Sequence, residues 1–505
     1  IASAGPQIGS VHDLSGAIDR YLSHGVAVDQ AHRSLEQRRL ALLYSLLPEF
    51  ERLRARLDAM RTVWRQWADS WATDFNRLCQ THGFLPPAAL QQRTLFDEVV
   101  RPMTAENGVT AYFVVDALRF EMAEELHRTL KDTPATTIQL KPRLSELPSV
   151  TEVGMNVLAP VAQQGKLHPS LRDGRVQGFS TGEFRVTGPD TRKRAMHDRV
   201  GGGTCPWLSL EEVLGRDCVS LKKSVARAKL MVVHSMEIDN AGEKGAGPAV
   251  FDSVLQKLRA AWRLLRDAGV KRFVFTSDHG FLLLDDGSTP AQRHGGKIDP
   301  KRRHVFSDIA ADHTGEVRVP LAKLGYEGVS GHLMFPETTR VFDTGKRSMS
   351  FVHGGNSLQE RLIPVLTLEH RAKQGGNTLA YMVKAMAQQG VGGMHALKAK
   401  VTICSKTQLS FGGGDEVELS LEVVDAPDVT VELCQTRGKA RLSGGGVYAT
   451  VDAEFELFFR LTGHTNARVR VEMGHPSAVV DVTPCVLSKR FAVTAGNTAA
   501  ELPSR

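Results

Sequence analysis

The chain has 505 residues, of which 24% are charged, and carries a formal net charge of +7; at roughly 100–200 residues per domain it should fold as two to four domains, which excludes a small disulfide-stapled scaffold. Its six cysteines (Cys79, Cys205, Cys218, Cys404, Cys434, Cys485) form no CxxC pair, so neither a zinc ribbon nor a disulfide framework is expected, and a reducing, cytoplasmic location is. The basic balance is compatible with a polyanionic partner without identifying one, and no apolar run is long enough to span a membrane.

The opening "IASAGPQIGS" lacks a basic-then-apolar signal pattern, and the missing initiator Met suggests a fragment. From Val11 to about Phe84, apolar residues at spacings of three and four predict a helical hairpin interrupted near Pro48, with Trp64, Trp67 and Trp71 as a packing stripe. Between Thr110 and about His370 the texture changes to short apolar runs, "AYFVVD", "LMVVHS", "RFVFTSD" and "IPVLTLEH", alternating with helical segments. Runs apolar on both faces predict parallel strands under helices, an α/β doubly wound sheet. After His370, "RAKQGGNTLAYMVKAMAQQGVGGMHALKAK" reads as a linker with one short helix. From there to about Val493, "VELSLEVVD", "VTVELCQT", "AEFELFFRL", "ARVRVEM" and "AVVDVTP" predict a β-sandwich.

Chemistry in such a sheet collects at the carboxyl ends of the strands. Asp116 ends "AYFVVD", Asp239 and Glu243 follow "LMVVHS", Asp278 and His279 end "RFVFTSDH", and His353 precedes a helix in "FVHGGNSLQER". Each has a plain structural reading: Asp116 as a cap of a helix beginning at Ala117, Asp278–His279 as a turn, and His353 as a loop histidine. Gathered at one edge they would repel or stay unsatisfied unless they shared a cation, and two divalent ions fit that need better than one. A mixed oxygen and nitrogen set suits Zn²⁺ or Mn²⁺. In "SELPSVTEVGM", Ser149 and Glu152 have the spacing of a capping box. Thr151, in the first turn of that helix, is a candidate nucleophile.

Together "VVDALRFEM", "PSVTEVGM", "IDNAGE", "TSDHGF" and "HGGNSLQERLIPVL" resemble the PglZ domain, a branch of the alkaline phosphatase superfamily found in bacterial BREX phage-defence systems. The resemblance covers about residues 100–370 and implies an alkaline-phosphatase-like domain over residues 96–372. That domain would lie between a helical region at 1–95, a linker at 373–395 and a β-sandwich at 396–505. It implies one metal held by Asp116, Thr151, Asp278 and His279, and a second held by Asp239, position 243 and His353. Position 243 is Glu243 and not the superfamily's His, which widens the choice from Zn²⁺ toward Mn²⁺ or Mg²⁺. Arg119 and Glu121 are expected to support these ligands.

The expected activity is two-metal phosphodiester hydrolysis through a phosphothreonine at Thr151, acting on DNA or other nucleic acid alongside BREX proteins including the methyltransferase. Two basic stretches are candidate phosphate contacts: Arg192 and Arg194 in "DTRKRAMHDR", and Lys297, Lys301, Arg302 and Arg303 in "RHGGKIDPKRRH". Two alternatives stand beside this reading, a small-nucleotide phosphodiesterase and a non-catalytic scaffold for other BREX components.

Overall fold

The computed structural model describes residues 11–42, 49–131, 133, 136–245, 247–284, 291–345, 350–370, 380–405, 416–426, 429–443, 446–463, 468–475 and 482–495; the interruption expected near Pro48 lies outside them. The chain forms two compact units, residues 1–131 with 136–370, and residues 132–135 with 371–505. Among the described residues no helix is long and apolar enough to cross a membrane.

The first unit is built on a six-stranded sheet. Its strands are β1 (Val109–Val115), β2 (Thr136–Leu144), β3 (Trp207–Ser209), β4 (Leu230–Ser235), β5 (Val270–Ser277) and β6 (Leu362–His370), in the spatial order β2-β6-β5-β1-β4-β3. β5, β1, β4 and β3 run parallel, whereas β6 is antiparallel to both β5 and β2. "IPVLTLEH" is therefore a buried strand, as its composition predicts, but not a parallel one. An apolar run reports burial on both faces, and burial is the same in either direction.

All seven residues of β1 are buried, and they divide by the two-residue period of a strand. Tyr112 and Val114 enter one core with Trp71, Phe75 and Val153. Ala111, Phe113 and Val115 enter another with Met122, Leu126, Phe251 and Leu258. The helices on that second face are Phe120–Leu130 and Gly247–Asp267.

The N-terminal helices α1 (Leu14–Arg20), α2 (Val26–Leu42) and α3 (Phe50–His82) belong to this same unit. The tryptophan stripe packs as expected: Trp64 and Trp71 are 3% and 2% exposed, and the His32 ring stacks on Trp64 with centroids 3.7 Å apart. Buried charges tie these helices to the sheet. Arg33 Nε donates to both oxygens of Glu121 at 3.1 Å, and Arg119 pairs with Asp29 at 3.3 Å while lying over the Phe281 ring. Arg119 and Glu121 thus join α2 to the loop after β1 and to the first turn of the Phe120–Leu130 helix, and among the described residues their ion pairs are with Asp29, Arg33 and each other, not with the expected ligands. Removing one member of a buried charge network leaves the other uncompensated, a loss on the order of 3–5 kcal/mol.

In the second unit Ala380–Val391 and Met394–Ser405 form an antiparallel hairpin, which corrects the reading of this segment as a linker with a short helix. Tyr381 and Val383 are buried while Lys384 and Met386 are exposed, an alternation of period two that only a strand produces. The hairpin joins a six-stranded sheet, and a five-stranded sheet packs with it around Val383, Leu397, Leu419, Val447, Leu457 and Val471. The strands are largely antiparallel, as a β-sandwich requires.

Candidate active site

Three adjacent parallel strands, β5, β1 and β4, deliver Asp278, Asp116 and Asp239 to one edge of the sheet. Asp116 follows β1 directly, is fully buried, and donates its backbone N–H to Ser235 O of β4 at 2.8 Å. The next residue, Ala117, has φ 60°, a left-handed conformation that a non-glycine residue needs help to hold. Asp278 Oδ1 supplies it, accepting from Ala117 N at 3.0 Å and from His279 N at 2.9 Å. Ser277 Oγ accepts from Leu118 N at 2.8 Å and donates to His279 O at 2.7 Å. Ser277 and Asp278 therefore clamp the β1 and β5 ends together, and the remaining Asp278 oxygen is left for other work.

The Thr151–Val157 helix runs beside this edge. The expected capping box is absent: the N-cap is Val150, and the Ser149 hydroxyl instead donates to Gly355 O at 2.8 Å and accepts from Gly354 N at 3.2 Å. Ser149 is thereby diverted to holding the loop that carries His353. One turn on, a Cβ at Gly154 would fall 2.3 Å from Asp278 O, so only glycine lets this helix sit against the β5 end. That approach brings Thr151 Oγ1 to 3.2 Å from His279 Nε2.

Both imidazoles are oriented from behind. His279 Nδ1 donates to Gly280 O at 2.9 Å and His353 Nδ1 donates to Ser149 O at 3.2 Å. A neutral imidazole that donates through Nδ1 presents a lone pair at Nε2. His279 Nε2 lies 3.3 Å from Asp278 Oδ2 and 3.7 Å from Asp116 Oδ1, His353 Nε2 lies 3.6 Å from Asp239 Oδ1, and the two rings stack with centroids 4.1 Å apart. Burial pushes His279 down to about 4 and also lowers His353, so both imidazoles are neutral at pH 7.

The carboxylates are less comfortable. Both oxygens of Asp116, Asp278 Oδ2 and Asp239 Oδ1 have no hydrogen-bond partner among the described residues. Burial, with mutual repulsion, holds Asp116 well above the usual carboxylate range, and burial likewise raises Asp278 and pushes Asp239 up to about 6. Each orphaned buried polar atom costs roughly 1–3 kcal/mol, more when charged, and a divalent cation removes that cost at several atoms together. Two overlapping groups could each hold an ion, Asp116–Asp278–His279 and Asp239–His279–His353, with ligand atoms in each within 4.8 Å of one another.

Glu243 stands outside both groups. It is exposed at the end of the Glu237–Glu243 helix and lines an adjoining cavity of about 310 Å³ with His353, Lys301, Arg302 and His304. Arg192, on the Pro189–Val200 helix, is half-buried, with its Nε unpartnered among the described residues and its charge within reach of Asp116 and Asp278. Arg194 lies over the Phe184 ring and pairs with Asp198 at 3.6 Å; Lys297 is exposed.

Arg303 corrects the expectation of a phosphate contact. It is 1% exposed, its Nε and terminal nitrogen donate to Glu360 at 3.0 and 2.7 Å, and Glu360 also accepts from Gly355 N at 2.8 Å. The pair braces the His353 loop from inside. Arg303→Ala should destabilise the unit by about 3–5 kcal/mol, because it leaves Glu360 buried and unpaired. Chemical denaturation reads this directly, and a loss within experimental error would mean that the pair contributes nothing net. Sequence reasoning passed over His304, Arg175 and Glu360; the last carried a signal in "SLQE", where Ser357 and Glu360 form a true capping box.

Residues 95–368 match the family model described as the BREX system PglZ alkaline phosphatase-like domain. The chain is 22% identical over 305 residues to the alkaline phosphatase-like protein PglZ of Bacillus cereus (strain H3081.97), covering 58% of this chain and 35% of that protein. It is 28% identical over 304 residues to the alkaline phosphatase-like protein BrxZ of Escherichia coli O9:H4 (strain HS), covering 56% and 33%. The matched region therefore spans about a third of each relative. Among solved structures, murine ectonucleotide pyrophosphatase/phosphodiesterase 5 aligns with a TM-score of 0.38 at 11% identity, over 53% of this chain and 89% of that one. With more than half of its length inside the matched model, the chain belongs to the PglZ alkaline phosphatase-like family.

Proposed function

We propose that the first unit hydrolyses phosphodiesters with Thr151 as nucleophile beside two divalent ions, Zn²⁺ first and Mn²⁺ or Mg²⁺ as alternatives. The observation that carries this reading is the convergence of Asp116, Asp239, Asp278, His279 and His353 near Thr151 with unpartnered carboxylate oxygens and inward-facing Nε2 atoms. Asp116, Asp278 and His279 would hold one ion; Asp239 and His353 would hold the other, with His279 within reach of both. Bound there, the ions would supply positive charge for the phosphoryl oxygens and lower the pKa of an adjacent hydroxyl.

The chain's own part begins with position. Gly154 and the Ser149 contacts set Thr151 Oγ1 against His279, and the carbonyls behind both histidines prevent ring rotation. Thr151 Oγ1 gives up its hydroxyl proton to solvent and bonds to phosphorus as the ester P–O bond breaks, and the leaving oxygen takes a proton from solvent. Water then cleaves the phosphothreonine, returning the Thr151 hydroxyl and a phosphomonoester. Arg192 is placed to draw an anionic ester toward the edge where Asp116 and Asp278 lie.

A BREX assembly is the proposed setting, on the strength of the family's description, and nucleic acid is the proposed substrate, supported by Arg175, Lys301 and Arg302 in the adjoining cavity. The test is hydrolysis of bis(p-nitrophenyl) phosphate by metal-loaded protein with and without chelator. Turnover that chelator abolishes and added metal restores is expected; metal-loaded protein that turns over no phosphodiester would leave a scaffold.

A further inference from the structure

The 310 Å³ cavity is lined by His353 and by Val150 and Glu152, the two neighbours of Thr151, so it adjoins the proposed nucleophile. Its wall is mixed. Phe306, Val150, Val176 and Val352 give it apolar surface, Arg175, Lys301 and Arg302 bring positive charge, and Glu152 and Glu243 place two carboxylates on the same wall. His304 lies in the same wall, 7% exposed, with Nδ1 unpartnered among the described residues. Burial pushes this imidazole down to about 3, so it is a neutral hydrogen-bonding group and not a fourth cation. Gly354, with φ 119°, packs so closely that a Cβ there would fall 2.9 Å from His304 Nδ1.

Apolar faces with one half-buried aromatic ring suit a flat heterocycle, a neutral imidazole suits its polar edge, and cations suit phosphates on either side. The volume is at the small end of ligand pockets, about 300–1,000 Å³, and takes one base with its sugar but not a stacked pair. We propose that this cavity is a subsite for a single unstacked nucleoside of the substrate, with the base against Phe306 and His304 and the flanking phosphates on Arg175, Lys301 and Arg302. This rests on the phosphodiesterase reading and narrows it: a base still paired and stacked in a duplex cannot enter, so single strands and frayed ends are the polymer form the site accepts.

Two esters with the same leaving group test it, p-nitrophenyl thymidine 5′-monophosphate and methyl p-nitrophenyl phosphate, each with metal-loaded protein. The nucleoside ester should have the higher kcat/KM by about 5–150-fold, the range of one base–aromatic stack, and Phe306→Ala should bring that ratio toward one. His304→Leu should do the same, with unfolding curves for both variants to confirm a folded protein. In calorimetry, thymidine 5′-monophosphate should bind more tightly than methyl phosphate, and Phe306→Ala should remove the difference. A single-stranded oligonucleotide should be cut faster than its duplex. Both esters hydrolysed equally and both phosphates bound equally would overturn the subsite while leaving the phosphodiesterase reading intact. No hydrolysis of either ester, with preferential nucleotide binding that Phe306→Ala abolishes, would keep the subsite and remove the catalytic reading. Equal cutting of single strand and duplex would overturn the restriction to unstacked bases.

Discussion

Thr151→Ala is expected to lower phosphodiester hydrolysis by roughly a thousandfold or more, the scale seen when a covalent nucleophile is removed. Metal content should hardly change, because the substitution deletes a hydroxyl and leaves Asp116, Asp278, Asp239, His279 and His353 in place. The fold should also persist: Thr151 is half-buried, and the helix it opens is capped by the backbone of Val150 and not by its own side chain. The comparison is made at matched metal occupancy, with quenched single-turnover reactions to look for phosphate on the protein. Near-normal turnover by this variant would rule out a covalent phosphothreonine and leave direct attack by water.

His279→Ala should have the widest effect on the ions, because His279 belongs to both candidate groups. Loss of both ions is expected, whereas Asp239→Asn should weaken one and spare the other. The same groups fix a pH dependence. Asp239 is pushed up to about 6, and Asp116 and Asp278 are also raised. Protons must therefore leave these carboxylates as the ions enter, so affinity should fall as pH drops through about 6. His279, pushed down to about 4, adds no proton competition until the pH is near that value. Metal titrations from pH 5 to 8 in buffers of different ionisation enthalpy measure both the affinity and the protons released. Affinity that stays flat across that range would mean that these carboxylates are not the ligands.

Much of this arrangement was legible in the sequence because burial leaves a compositional mark. "AYFVVD" reads as a strand apolar on both faces, and every residue of β1 is buried; the acidic residue that ends such a run must sit at the sheet edge. The direction of β6 was not legible, since its apolar run suits either orientation. The Ala380–Val391 strand hid for a different reason: Gly, Gln, Ala and Met dilute its alternation until only Tyr381 and Val383 against Lys384 mark it.

At the site the difficulty was long-range pairing. Lys301, Arg302 and Arg303 look equivalent as a run of cations, yet Arg303 turns inward to Glu360, 57 residues away. Ser149 has the right spacing to cap a helix, but Gly354 and Gly355, more than 200 residues on, compete for its hydroxyl and win. Glu243 sits at the position where the superfamily pattern would have a ligand, but its exposure at a helix end keeps it out of both groups. No local pattern encodes these choices, because each depends on which distant backbone arrives at the same edge.

The central claim is that one edge of the β5-β1-β4 sheet binds two ions around Thr151. Anomalous scattering from crystals of the protein loaded with Zn²⁺ or Mn²⁺ tests it most directly. Two peaks about 4 Å apart are expected, as in other two-metal sites, one touching Asp116, Asp278 and His279 and the other touching Asp239 and His353. No peak within this cluster at saturating metal, or ions bound elsewhere on the unit, would contradict the account.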